Sequence, residues 1–180
     1  NSGAEAVEGA IKLGYKFHNG KRKYILHSDI SFHGKLLGSG GLTGSKELTF
    51  SFPTIPNIKR FKYNDISSLR EQVSILKNEK GESDIYAIVI EPFSSSAVRY
   101  CSKEFLFELR QICTAENIVL IFDEVYSGWG KTGQLFSFMH YNVVPDIVTY
   151  SKTFGGGKSS ISGYTSRTPY FKKAYGNLQS

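Results

Sequence analysis

The chain has 180 residues, 40% of them hydrophobic and 14% aromatic, enough to enclose one real core and too apolar for a disordered segment. Its formal net charge of +6 is scattered, and the densest cluster, Lys21-Arg22-Lys23, reads as a solvated turn rather than a nucleic-acid stripe. No apolar run approaches the roughly 20 residues of a membrane helix, no basic-then-apolar start resembles a secretory signal, and Cys101 and Cys113 are too few for a disulfide framework or a metal knuckle.

These exclusions leave a soluble, cytoplasmic protein with no metal site and no nucleic-acid or membrane partner as the expectation. Helical spacing starts at once: Ala6, Ala10, Leu13 and Phe17 fall at steps of four, three and four beside Val7 and Ile11. Asn1 or Ser2 can cap this helix. Its start on small residues offers unpaired N–H groups and the positive end of a dipole, which suit a phosphate. Taken alone, Ser2-Gly3-Ala4 is better explained as merely a good N-cap with close packing.

Lys23 to Ser28 reads as a strand, followed by Asp29-Ile30-Ser31-Phe32-His33-Gly34 and a glycine-rich loop through Gly38, Gly40, Gly41 and Gly44. An aromatic beside a histidine at a strand end can stack on a flat ligand, although a lone histidine is more often a scaffold residue. The spacing of Ile66, Leu69, Val73 and Leu76 predicts a helix from about Asp65 to Lys77, capped by Asp65. Ile85 to Ile90 is a buried strand that runs into Glu91-Pro92. A helix capped by Ser102 follows, with Phe105, Leu106, Leu109, Ile112 and Cys113 as its apolar stripe. Strand, helix and strand make a βαβ crossover, right-handed by the usual rule.

Ile118 to Val125 is the central strand. Five apolar residues run without alternation into Asp123 and Glu124, the pattern of a strand covered on both faces that ends in a site. An ionised carboxylate taken out of water costs on the order of several kcal/mol, so Asp123 requires a cationic partner. Pro145 to Lys152 is a second such strand, opening into Thr153-Phe154 and Gly155-Gly156-Gly157, and Ile161 to Thr165 is an antiparallel or edge strand. Glu91, Asp123 and Lys152 all stand at strand ends, where an open α/β sheet forms its ligand crevice. From Asp123 and Lys152 alone, a plain structural ion pair is the favoured reading. Gly157-Lys158-Ser159 copies the end of a phosphate-binding P-loop, but that motif needs glycine at position 152, where lysine stands.

Taken in order, Asn1-Ser2-Gly3-Ala4-Glu5-Ala6, Ser31-Phe32-His33-Gly34, Glu91-Pro92, the run Phe122 to Gly133, Pro145-Asp146-Ile147 and Ser151-Lys152 with the triple glycine resemble the class III aminotransferases. The resemblance covers nearly the whole chain. It implies a three-layer α/β sandwich with a mostly parallel central sheet, the large domain of the fold type I enzymes that use pyridoxal 5′-phosphate (PLP). It further implies that Lys152 carries the cofactor as a Schiff base and shuttles a proton, and that Asp123 pairs with the protonated pyridine nitrogen. Phe32 and Val125 would cover the two ring faces, Ser2, Gly3 and Ala4 would form the phosphate-binding helix start, and His33 and Glu91 would line the site.

The implied reaction moves an amino group between an amine or amino acid and a keto acid or aldehyde, in a homodimer with the site at the subunit interface. An aminomutase or racemase on the same cofactor, or a non-catalytic remnant used as a binding module, are the alternatives. The chain departs from the family pattern where Phe93-Ser94-Ser95-Ser96 replaces the common Gln-Gly-Glu, and where Lys158-Ser159-Ser160 replaces a proline after the triple glycine. Residues 1–180 are expected to be a partial cofactor-binding large domain, with the family's amino-terminal segment and carboxy-terminal small domain absent.

Overall fold

The computed structural model describes residues 1–176. Helix α1 (Gly3–Phe17) is capped by Ser2, whose hydroxyl accepts from the Glu5 N–H at 3.3 Å, and it buries the stripe from Ala6 to Phe17. Strand β1 (Tyr24–Ser28) follows. The glycine-rich stretch, expected to be loop, contains two short helices, α2 (Leu37–Gly41) and α3 (Lys46–Thr49). Its helix propensity is poor, but the Glu8 carboxylate of α1 accepts from the N–H groups of Gly38 and Ser39, each at 2.8 Å. Those donors are the orphan amides of a helix start, so a contact from another element fixes α2.

Strand β2 (Ile58–Phe61) has no counterpart in the sequence reading. It is an edge strand whose Lys59 and Arg60 face solvent, so its apolar pattern is too short to stand out. Helix α4 (Ile66–Ile75) is capped by Asp65, and β3 (Ile85–Ile90) buries all six of its residues. A hairpin of β4 (Phe93–Ser94) and β5 (Arg99–Tyr100) leads to α5 (Lys103–Ala115), capped by Ser102. Then come β6 (Val119–Asp123), a 3-10 turn at Ser137–His140, β7 (Ile147–Tyr150), a second 3-10 turn at Lys152–Gly155, β8 (Gly163–Ser166) and α6 (Thr168–Tyr175).

The main sheet has six strands in the order β2-β1-β3-β6-β7-β8. All neighbours run parallel except β8, which pairs antiparallel with β7 through Ile147↔Ser166 to Tyr150↔Gly163. Side chains of β6 alternate between two cores: Val119 and Ile121 pack with α1 and α6, whereas Leu120 and Phe122 pack with α4 and α5. Helix, sheet and helix therefore make three layers. The strand order reverses between β1 and β3, and at such a reversal the loops beyond the strands part and leave a crevice.

Candidate functional site

A cavity of about 280 Å³ lies in that crevice. The start of α1 contributes Gly3 and Ala4, and the segment after β1 contributes Phe32, His33 and Gly34. Glu91 follows β3, Asp123 and Val125 close β6, and Lys152 follows β7. Ser2 stands outside the lining. Its hydroxyl shapes the helix start as the N-cap and donates to Glu5 at 2.9 Å.

Gly3 is required by close approach, because a Cβ there would come within 2.6 Å of a Val125 methyl. Gly34 is required twice: its φ is +131°, and a Cβ would lie 2.6 Å from that of Ala4. These two glycines let the helix start and the loop after β1 converge on the end of β6.

Asp123 is 4% exposed, and both of its carboxylate oxygens make contacts. One carboxylate oxygen accepts from the Thr149 hydroxyl at 2.9 Å and the Val125 N–H at 3.0 Å, and the other meets His33 Nδ1 at 2.7 Å. The cation its burial requires is thus His33; among the described residues Asp123 makes no ion pair with Lys152. Burial opposes protonation of His33, but the hydrogen bond and charge of Asp123, aided by the charge of Glu91, outweigh it and raise the pKa above 6.5. The other ring nitrogen of His33 is buried and has no partner among the described residues.

Glu91, 3% exposed, accepts from the Phe32 N–H at 2.9 Å and from the Ser95 N–H and hydroxyl, both at 3.2 Å. Burial raises its pKa, partly countered by the charge of His33. It therefore tethers the backbone of Phe32 to the end of β3. Glu124, adjacent to Asp123, points the other way and accepts from Ser127, Ser137 and the Phe138 N–H, a structural tie for the loop between β6 and β7. Two neighbouring carboxylates thus divide into one that faces the cavity and one that holds a loop.

Lys152 sits at φ +45°, a left-handed conformation that costs a non-glycine residue roughly 1–3 kcal/mol and persists where surroundings fix it. Contacts on either side fix it: Ser151 donates to the Ile161 carbonyl at 3.1 Å, and Phe154 stacks on Trp129 with ring centroids 4.5 Å apart. The Lys152 amine lies 5.4 Å over the Tyr126 ring. Tyr126, Gly34, Lys35 and Ser95 also line the cavity; sequence reasoning assigned none of them a site role, although Gly34, Ser95 and Tyr126 fall within stretches it marked. Thr149 was also missed; its signal is its register opposite Asp123 in β7, which only the strand pairing reveals.

A mostly parallel α/β sheet flanked by helices, with acid and amine converging beyond its strand ends, is the architecture of the PLP-dependent transaminases. The chain superposes on a transaminase from the marine bacterium Virgibacillus with a TM-score of 0.86 at 25% identity, covering 96% of this chain and 41% of that one. Ornithine aminotransferase from Toxoplasma gondii, described with PLP at partial occupancy, shares the fold at a TM-score of 0.85 and 23% identity, with coverage of 96% and 41%. The chain belongs to the class III aminotransferase family: the family profile described as Aminotransferase class-III matches residues 1–175. It is 40% identical over 165 residues to acetylornithine aminotransferase of Prochlorococcus marinus, covering 88% of this chain and 39% of that protein. With the acetylornithine aminotransferase of Clostridium acetobutylicum it shares 37% over 163 residues, covering 87% and 40%. The chain thus spans about two fifths of the length of these curated relatives. No helix among the described residues is long and apolar enough to cross a membrane.

Proposed function

We propose that the intact protein is a PLP-dependent aminotransferase, moving an amino group between an amine or amino acid and a keto acid or aldehyde, and that this chain is the part of its large domain that supplies most of the cofactor site. The observation that carries this is the convergence of Lys152, Asp123 and the start of α1 on one cavity. The donor set fits PLP group by group. An amine suits its aldehyde, a buried carboxylate its ring nitrogen, and a helix start its phosphate, while Phe32 and Val125 present apolar surface for the ring. A volume of about 280 Å³ lies just under the roughly 300–1,000 Å³ typical of small-molecule pockets.

When bound, PLP supplies an electron sink for the substrate carbon that gains or loses a proton. Lys152 would hold the cofactor through its amine and, once free of it, could carry that proton as general base and acid. Asp123 would face the ring nitrogen of the bound cofactor and favour its protonated form, and the bonds from His33, Thr149 and Val125 aim the carboxylate. The N–H groups of Gly3 and Ala4 hold the phosphate at the positive end of the 15-residue α1, and the Ser2 cap fixes that start. Glu91 sets the backbone of Phe32, and so the face against which the ring would lie.

The proposal includes a homodimer and a cytoplasmic location. Leu36, Leu37, Phe50 and Phe52 are 45 to 80% exposed on one segment, apolar area of the kind that subunit contacts cover. Cys101 and Cys113 are both free thiols, compatible with a reducing compartment. The test is to load the intact protein with PLP, reduce with borohydride and map the labelled lysine by mass spectrometry. Label on Lys152, lost in Lys152→Ala together with amino transfer, is the expected result. Full turnover by Lys152→Ala, or label spread over surface lysines, would overturn the assignment, and no label together with no amino transfer would favour the non-catalytic remnant.

A further inference from the structure

We infer that the second cavity beside Lys152, about 510 Å³, is a binding pocket for an organic carboxylate with a flat apolar body, and that Lys131 anchors the carboxylate. The two cavities share one residue, Tyr126, whose ring forms a wall of each. On the far side of that wall the surface is aromatic. Phe93 stacks on Tyr126 with centroids 5.8 Å apart and planes within 13°, Tyr100 packs against Phe93 at 5.2 Å, and Tyr141 adds a fourth ring. Rings set in this way offer broad faces to a planar group, and the volume falls within the range of small-molecule pockets.

The charge of the lining points to an anion. Lys131 and His140 border the cavity, and among the described residues no carboxylate does. The acid nearest Lys131 in sequence, Glu124, is buried and committed to Ser127, Ser137 and the Phe138 N–H, and the acid nearest His140, Asp146, is held by Arg110, Arg167 and the Leu120 N–H, so neither is free to neutralise them. The Lys131 ammonium rests 3.9 Å from the centre of the Tyr126 ring and forms no ion pair among the described residues. A cation held on an aromatic face keeps its remaining N–H donors free, which is what a carboxylate arriving along the ring would need. As a subsite for the body of an amino-group donor or acceptor, the pocket rests on the aminotransferase proposal; as a binding site it does not.

The experiment is calorimetric titration of the intact, PLP-loaded protein with hydrocinnamate as the probe, alongside its neutral analogue hydrocinnamyl alcohol. Hydrocinnamate should bind, and Lys131→Met should weaken it about tenfold, the scale of one charge-assisted contact, while leaving the alcohol unchanged. Lys158→Met, the same charge change on an exposed loop, should have no effect. No binding of hydrocinnamate by the unmodified protein, or equal losses in Lys131→Met and Lys158→Met, would overturn the pocket. Turnover measured on the same samples separates the two proposals: probe binding without amino transfer strikes the enzyme and leaves the pocket, whereas amino transfer with unchanged probe affinity in Lys131→Met strikes the pocket alone.

Discussion

At the scale of single residues, Asp123 and His33 form a buried pair in which each is the other's counter-charge, with side chains 3% and 0% exposed. Removing one partner strands the other. Asp123→Ala should therefore cost about 3–5 kcal/mol, read as a fall in the urea midpoint, and more than Asp123→Asn, which keeps acceptors for Thr149 and Val125. The pair also has a pH signature. Because the folded pKa of His33 lies above its unfolded 6.5, its stabilisation is fully present below 6.5 and is lost as pH rises through the raised value. The gap in urea midpoint between the unmodified protein and His33→Asn should narrow as pH rises above 6.5, and a constant gap would show that no imidazolium is involved. That Asp123 needed a cation was legible from a carboxylate ending an apolar run. Which cation was not, since His33 lies 90 positions away.

At the scale of elements, the strands that carry the site stand on two cores, and β6 belongs to both. Leu120 is fully buried between the sheet and the α4 and α5 layer, so Leu120→Ala should cost about 2–5 kcal/mol in thermal or urea unfolding. A cost below about 1 kcal/mol would mean that the layer collapses to fill the gap. Elements with strong local signals were readable: α1, α4 and α5 have apolar stripes behind side-chain caps, and β3 and β6 have unbroken apolar runs. Elements held from outside were not. Helix α2 depends on Glu8, and β2 on pairing with β1 from Ile25↔Ile58 to Ser28↔Phe61. Predicted strand ends also ran long, since Glu124 and Val125 leave β6 to form the turn that ties the loop.

For the molecule as a whole, burial sets the response to acid. It pushes the pKa of His18 down to about 4, and that of His27 to about 3 with help from the charges of His33 and Arg60. The unfolded chain binds protons at these sites near 6.5 while the fold refuses them, so stability declines as pH drops below 6.5 and levels off only below the folded values. His27→Gln should flatten that decline between about pH 6 and pH 3 in urea titrations, and an unchanged slope would refute the role of His27. This trend runs opposite to that of His33, so the charged and the neutral histidines limit the fold from opposite sides. The sequence by itself determined the α/β class, the capped helices, the buried strands and, through its ordered motifs, the family, because periodicity, caps and short motifs are local properties of the chain. The tertiary structure decided that Asp123 pairs with His33 while Glu124 ties a loop, that Thr149 supports Asp123, and that Tyr126 divides two cavities. Those facts depend on strand order and register, which bring residues tens of positions apart within 3 Å and which no local pattern encodes.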